Sequence, residues 1–190
     1  VDLKGVAEIE DSEPGSIMAT LDVGTSPLSS WSTTAKPEAQ LEAMVEISNS
    51  LANTLSIKEI LPKILESLFK IFVQADRGFV MMRPKPDADI VPVAVKASRD
   101  EDKQSMRVRG TIVNQAMNDQ HAILSADAST DERFSQAQSI ADFEIRSLIC
   151  APMISSDGES LGVIQLDTNN QRSRFTDQDL QILAGVASQA

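Results

Sequence analysis

The sequence predicts an α+β domain, and three observations lead there. Residues 147–167 read as a β-hairpin: residues 148–154 and 161–166 are apolar runs of strand length, and Ser155-Ser156-Asp157-Gly158 between them supplies turn chemistry. Helical periodicity marks both ends of the region 38–190. Between them, after Gln74-Ala75-Asp76, residues 78–82 and 90–95 form a second strand pair around the turn-rich Arg83-Pro84-Lys85-Pro86-Asp87. Neither run of the central hairpin alternates cleanly between apolar and polar residues. Both of its faces are therefore expected to be covered, one by helices and the other by something else. Pro152 lacks an N–H for the ladder, so a bulge or a missing bond is expected near it.

A chain of 190 residues with 42% hydrophobic composition supports one domain with a real core plus an extension. Its net charge of −11 argues against nucleic acid and anionic membrane surfaces, both of which call for basic patches. The single cysteine excludes an internal disulfide framework and any multi-cysteine metal site. No apolar run reaches the ~18 residues of a membrane span. No basic n-region and apolar h-region open the chain. A cytoplasmic setting follows as the expectation.

Residues 1–37 read as an acidic, Ser/Thr-rich linker, with Asp2, Glu8, Glu10, Asp11, Glu13 and Asp22 against Lys4 and Lys36. Within it, residues 16–23 form a short apolar island that could dock, and Trp31 is the only tryptophan. The domain proper spans 38–190. A first helix follows Pro37, carrying Leu41, Met44, Val45, Leu51, Ala52 and Leu55 at three- and four-residue steps. Ser56 and Glu59 have capping-box spacing and open a second, whose stripe runs from Ile57 to Phe72. Pro62 interrupts that stripe, so a kink or a late start is expected. After the second strand pair, a charged loop over 98–109 leads to a short helix over 111–118, which Thr111 can cap, and then to a strand over 121–125. The polar segment 127–145 contains two more capping-box spacings, Ser129 with Glu132 and Ser135 with Gln138, and reads as two short helices. Thr176 and Asp179 open a last helix that ends without a stop signal, as a helix cut short would.

The order of elements and the residues themselves resemble a GAF domain over roughly residues 38–190. The resemblance rests on Ile71-Phe72-Val73-Gln74-Ala75-Asp76-Arg77-Gly78-Phe79, on Ile123-Leu124-Ser125-Ala126-Asp127 with Glu132-Arg133-Phe134, and on Arg146 to Met153 followed by Leu161 to Asp167. It implies a PAS- or profilin-like, mostly antiparallel sheet with the terminal helices on one face and short helices roofing a pocket on the other. For that pocket it implies a wall at Gly78 and Val80, a roof at Val113 and Met117, and a rim at Asp127, Thr130, Phe134 and Ile140. The acidic leader is also similar to that of signalling proteins in which a forkhead-associated domain precedes a GAF domain, with a nucleotide cyclase or a metal-dependent phosphatase as output. Cyclic-nucleotide-binding members share an Asn-Lys…Phe-x-x-x-Asp-Glu signature. Asn170, Phe175 and Asp179 match it, but Gln171 stands for the Lys and Leu180 for the Glu. Without its cationic partner Asp179 is more simply a helix-N-terminal acid.

Other chemistry-bearing residues have plainer readings. His121 is the only histidine and reads as a turn residue; Cys150, inside an apolar strand, reads as a small hydrophobe. Family members that bind bilins or reduce methionine sulfoxide use cysteines this chain lacks. Asp127, Asp131 and Glu132 do not have calcium-loop spacing, and capping accounts for Asp131 and Glu132. Arg99, Lys103, Arg107 and Arg109 read as solvated charge, with a basic lip for an anion as the alternative. No acid, base and nucleophile set emerges. The functional expectation is a non-catalytic sensory domain that binds a small molecule, of unknown identity and with no cofactor specified, and relays it to neighbouring domains of the same chain. The alternative is a ligand-free scaffold that dimerises through the helices at 38–53 and 177–190, and a homodimer through the terminal helices is expected on either reading.

Overall fold

The computed structural model describes residues 8–10, 17–23, 57–85, 88–99, 107–126, 147–169 and 174–189. The expected first helix, the two short helices over 127–145 and Ser56, the expected cap of the second helix, lie outside these residues. The described elements run β1 (Glu8–Glu10), β2 (Ile17–Asp22), α1 (Ile57–Ile71), β3 (Arg77–Met82), β4 (Val91–Ala97), β5 (Arg107–Arg109), α2 (Gly110–Asp119), β6 (His121–Ala126), β7 (Ser147–Ile154), β8 (Ser160–Thr168) and α3 (Asp177–Ala187).

Six strands form one antiparallel sheet in the order β2-β6-β7-β8-β3-β4. The β7–β8 hairpin sits at its centre, which is why neither of its runs alternates: both faces are covered. Gly158 closes the turn at φ 81°, a conformation a side chain would strain, with its N–H donating to Ser155 O. The register shifts between Met153 and Ile154, one residue beyond Pro152, as its missing donor requires. Pro92 lies on β4, an edge strand, opposite a second shift between Val80 and Met81.

Alternation sorts the side chains of each strand onto two faces. On one face Leu61, Ile64, Leu65 and Leu68 of α1 and Leu180, Leu183 and Val186 of α3 pack against Val80, Leu124, Ile149, Ala151, Ile164 and Leu166. The two helices meet where Phe72, just past α1, and Phe175, just before α3, form an edge-to-face pair with centroids 6.2 Å apart. On the other face Ile112, Val113, Ala116 and Met117 of α2 cover Phe79, Met81, Ile123, Leu148, Cys150 and Val163.

Three sequence expectations change in detail. Helix α1 runs through Pro62 from Ile57 onward, with no late start. Helix α2 begins at Gly110, which puts Thr111 in its first turn and not at the cap. The linker reading gives way at residues 17–22: Ile17–Asp22 is the sheet's sixth strand, paired with β6, because its alternating half-buried pattern suits an edge. Glu8–Glu10 likewise pairs in parallel with Arg107–Arg109 inside the charged loop. The Thr176–Asp179 capping box is present in full: Thr176 N–H donates to Asp179 Oδ2 at 2.8 Å and Asp179 N–H to Thr176 Oγ1 at 3.3 Å.

Candidate functional site

The two faces differ in chemistry. The face against α1 and α3 is mostly apolar, with the small hydroxyls of Ser147 and Thr168 buried at one end, whereas the α2 face carries the charged and amide side chains of Arg77, Gln165 and Asp167 at that end. Residues 163, 165 and 167 of β8 point to the α2 side, and so do 77, 79 and 81 of β3. Arg77 therefore stands directly across from Asp167 in the antiparallel register. Its Nε donates to Asp167 Oδ1 at 2.7 Å, with both side chains buried, and its Nη2 donates to Asn169 Oδ1 at 3.2 Å. Asp76 steadies the same corner. Its Oδ2 accepts from Thr168 Oγ1 at 3.0 Å and from the Asn169 N–H at 2.8 Å, and its own N–H donates to Asp167 O at 2.9 Å.

Burial pushes the Asp167 carboxyl up to about 6, more than the charge and hydrogen bond of Arg77 pull it down; the Asp76 carboxylate adds to the rise, and the Gln165 amide, close to the carboxyl but without hydrogen-bond geometry, opposes it. Gln165 is fully buried two residues earlier on the same face, flanked across the strands by Phe79 and Cys150. Among the described residues four buried side-chain atoms have no hydrogen-bond partner: Gln165 Nε2, Gln165 Oε1 and Asp167 Oδ2 in this corner, and Arg83 Nε elsewhere. Each such buried atom costs about 1–3 kcal/mol if nothing meets it. A packed apolar core would not keep three of them on neighbouring residues without use for them. Ser125, also buried, lies on the same face at the same end.

Helix α2 is fastened at the opposite end, near the β7–β8 turn. Ser160 Oγ donates to Met117 O at 2.8 Å and Gln120 Nε2 to Gly158 O at 2.6 Å. Near the start of α2 a cleft of about 320 Å³ opens between Arg83, Asp89, Ile90, Gly110, Val113 and Asn114. The connection from β6 to β7 leaves and returns beside Arg77 and Asp167, since Ala126 pairs with Ser147 and Ser147 with Thr168.

Of the expected pocket residues, Val113 and Met117 face the sheet from α2. Gly78 and Val80 do not share that side. A Cβ on Gly78 would stand 2.7 Å from Phe69 Cε2 and 2.9 Å from Leu166 Cδ2, and Val80 packs in the α1 and α3 core. The wall on the α2 side is instead Phe79 and Met81, because alternation sends the even-numbered residues of β3 the other way. Asp127, Thr130, Phe134 and Ile140 lie outside the described residues. The buried polar group of Arg77, Gln165 and Asp167 was absent from the sequence expectations for the site. Its signal was available: two polar residues at i and i+2 in a strand expected to be covered on both faces. Cys150 is buried and its thiol is pushed up to about 12, so it is not a nucleophile in the folded state. His121 sits beside the turn after α2, its Nδ1 at 2.5 Å from Asp119 O. Among the described residues no His, Cys, Asp or Glu group is arranged to hold a metal ion, and no helix is long and apolar enough to cross a membrane.

The GAF domain family model matches residues 56–190, and the chain belongs to that family. Solved structures agree at the level of fold. The GAF domain of a phosphoenolpyruvate-protein phosphotransferase from Coxiella burnetii is 14% identical with a TM-score of 0.59, over 80% of this chain and 90% of that one. A putative GAF sensor protein from Burkholderia vietnamiensis is 12% identical with a TM-score of 0.61, over 85% and 91%. The free methionine-R-sulfoxide reductase of Neisseria meningitidis, in complex with its substrate, is 17% identical with a TM-score of 0.61, over 84% and 92%. A search of curated proteins found no match.

Proposed function

We propose that this chain is a non-catalytic regulatory GAF domain of a cytoplasmic signalling protein. It binds a small molecule on the α2 side of the sheet and relays the event through the helices on the opposite face. The observation that carries this reading is the buried cluster of Arg77, Gln165 and Asp167, with three polar atoms unmet among the described residues on one sheet face. The non-catalytic part is supported by the sole cysteine, Cys150, being buried and held as a thiol. Strands β3 and β8 present alternate residues to both faces, and Phe72 and Phe175 join α1 to α3, so one packing change can reach both helices. A relay also requires two arrangements of those helices that the ligand distinguishes energetically.

For the output domain, a nucleotide cyclase or a phosphatase, the support is the acidic leader alone. The alternative of a ligand-free dimer scaffold has less behind it. Leu180, Ile182, Leu183, Val186 and Ala187 of α3 are buried within one chain, which leaves no apolar stripe of that helix for a partner.

The test is thermal unfolding with cyclic AMP, cyclic GMP and a metabolite panel at millimolar concentration. A ligand at 100 times its dissociation constant adds ~2.7 kcal/mol, a shift of roughly 5–10 °C for a domain of this size. One responding compound is the expected result. Silence across the panel would move the assignment to the scaffold.

A further inference from the structure

The three unmet atoms specify a ligand chemistry, and the inference rests on the regulatory reading above. Asp167 Oδ1 is taken by Arg77, and Oδ2, buried on the α2 side of the sheet, has no hydrogen-bond partner among the described residues. Gln165 offers one acceptor, Oε1, and one donor group, Nε2, two residues away on the same face. A group that satisfies all three must present hydrogen-bond donors next to an acceptor, and an amide edge does so with N–H beside C=O. Charge narrows the choice further. The Arg77 guanidinium is already matched by Asp167, and the Asp76 carboxylate lies within electrostatic range of the same oxygen. Among the described residues an incoming anion would meet two carboxylates and one guanidinium that is already engaged; a neutral group would pay no such penalty.

We propose that Gln165 and Asp167 form the recognition floor for an amide-type edge, N–H beside C=O, and that this floor refuses carboxylates and phosphates. The fastenings of helix α2 lie at its C-terminal end, near the β7–β8 turn and away from Gln165 and Asp167. Ser160, which holds its C-terminal end, lies five residues from Gln165, roughly 17 Å along an extended strand.

Matched amide and acid pairs test this: nicotinamide with nicotinate, glutamine with glutamate, and uracil with orotate, each scored by thermal shift of the full 190-residue chain. The expected result is a shift from at least one amide member and none from its acid. Gln165→Met, close to Gln in volume, is expected to raise the melting temperature of the free protein, because it removes a buried amide that nothing meets, and to abolish the amide response. Asp167→Asn turns the free acceptor into a donor and releases the guanidinium charge, so acids are expected to respond in place of amides. A lower melting temperature for Gln165→Met would show that the amide is structural, and would overturn the assignment. So would shifts from acids on the wild-type chain, although those would leave the regulatory reading standing. Silence from all three pairs overturns the amide edge too; silence extended to the wider metabolite panel would remove the regulatory reading with it.

Discussion

The two faces of one sheet have been put to opposite uses. Against α1 and α3 the strands present Val80, Leu124, Ile149, Ile164 and Leu166, a surface whose stability comes from area and close packing. Against α2 the same strands add Arg77, Gln165 and Asp167, which at neutral pH cost stability to bury. Since alternate residues of β3 and β8 serve both faces, the backbone is shared and only the side-chain chemistry differs. The difference teaches where function sits: polar groups kept under cover where an apolar residue would be more stable mark the face that meets something else.

Breaking the polar face is expected to have the largest effect. Arg77→Ala leaves Asp167 buried without its partner and is expected to lower stability by about 3–5 kcal/mol, read from the urea midpoint. Arg77→Met with Asp167→Leu should recover most of that loss, since the pair is then replaced by apolar volume; a double variant as unstable as the single one would contradict the account. On the apolar face, Leu68→Ala is expected to cost ~2–5 kcal/mol through the cavity it leaves, with ligand responses intact. Gly78→Ala should cost about 1–3 kcal/mol, as its Cβ would press on Phe69 and Leu166. Gly162→Ala should cost more, because its Cβ would stand against the Met81 carbonyl and backbone cannot step aside as a side chain can.

A smaller, pH-dependent difference sharpens the comparison. The folded state raises the Asp167 pKa from 3.8 to about 6, so it holds the proton more tightly than the unfolded chain does. The contribution of Asp167 to stability is therefore greatest below the lower value, falls as pH rises between the two, and is level above. Unfolding in urea across that range, with Asp167→Asn as the non-titrating reference, should show the wild-type chain losing ground as pH increases. The smallest expected signal is from Cys150: a thiol reagent should fail to label it in the native protein and label it fully in denaturant.

Much of this architecture was legible in the chain. Hydrophobic period and turn residues located both hairpins, α1, α2 and α3, since each carries its own local signal. The Thr176–Asp179 box was read from spacing alone and is present. Strand β2 was not recognised as part of the sheet. Six residues with Met18 and Thr20 facing out have too weak a pattern to reveal a partner at His121–Ala126, and pairing at that range is set by tertiary structure. The site was half legible. Val113 and Met117 follow from the helical stripe of α2, but assigning Gly78 and Val80 to a face required the parity of β3, which a run of buried residues on both sides conceals. Gln165 and Asp167 stand out only once the strand is known to be covered.

The leader strand has a consequence in time. Ile17 pairs with Ser125, so closing this edge joins positions roughly a hundred residues apart, a late and entropically costly contact in folding. During synthesis the residues of β2 leave the ribosome well before β6 exists. Until His121–Ala126 arrives, β2 has no neighbour in the six-stranded sheet, and the growing chain carries an apolar segment that must wait for its place at the edge.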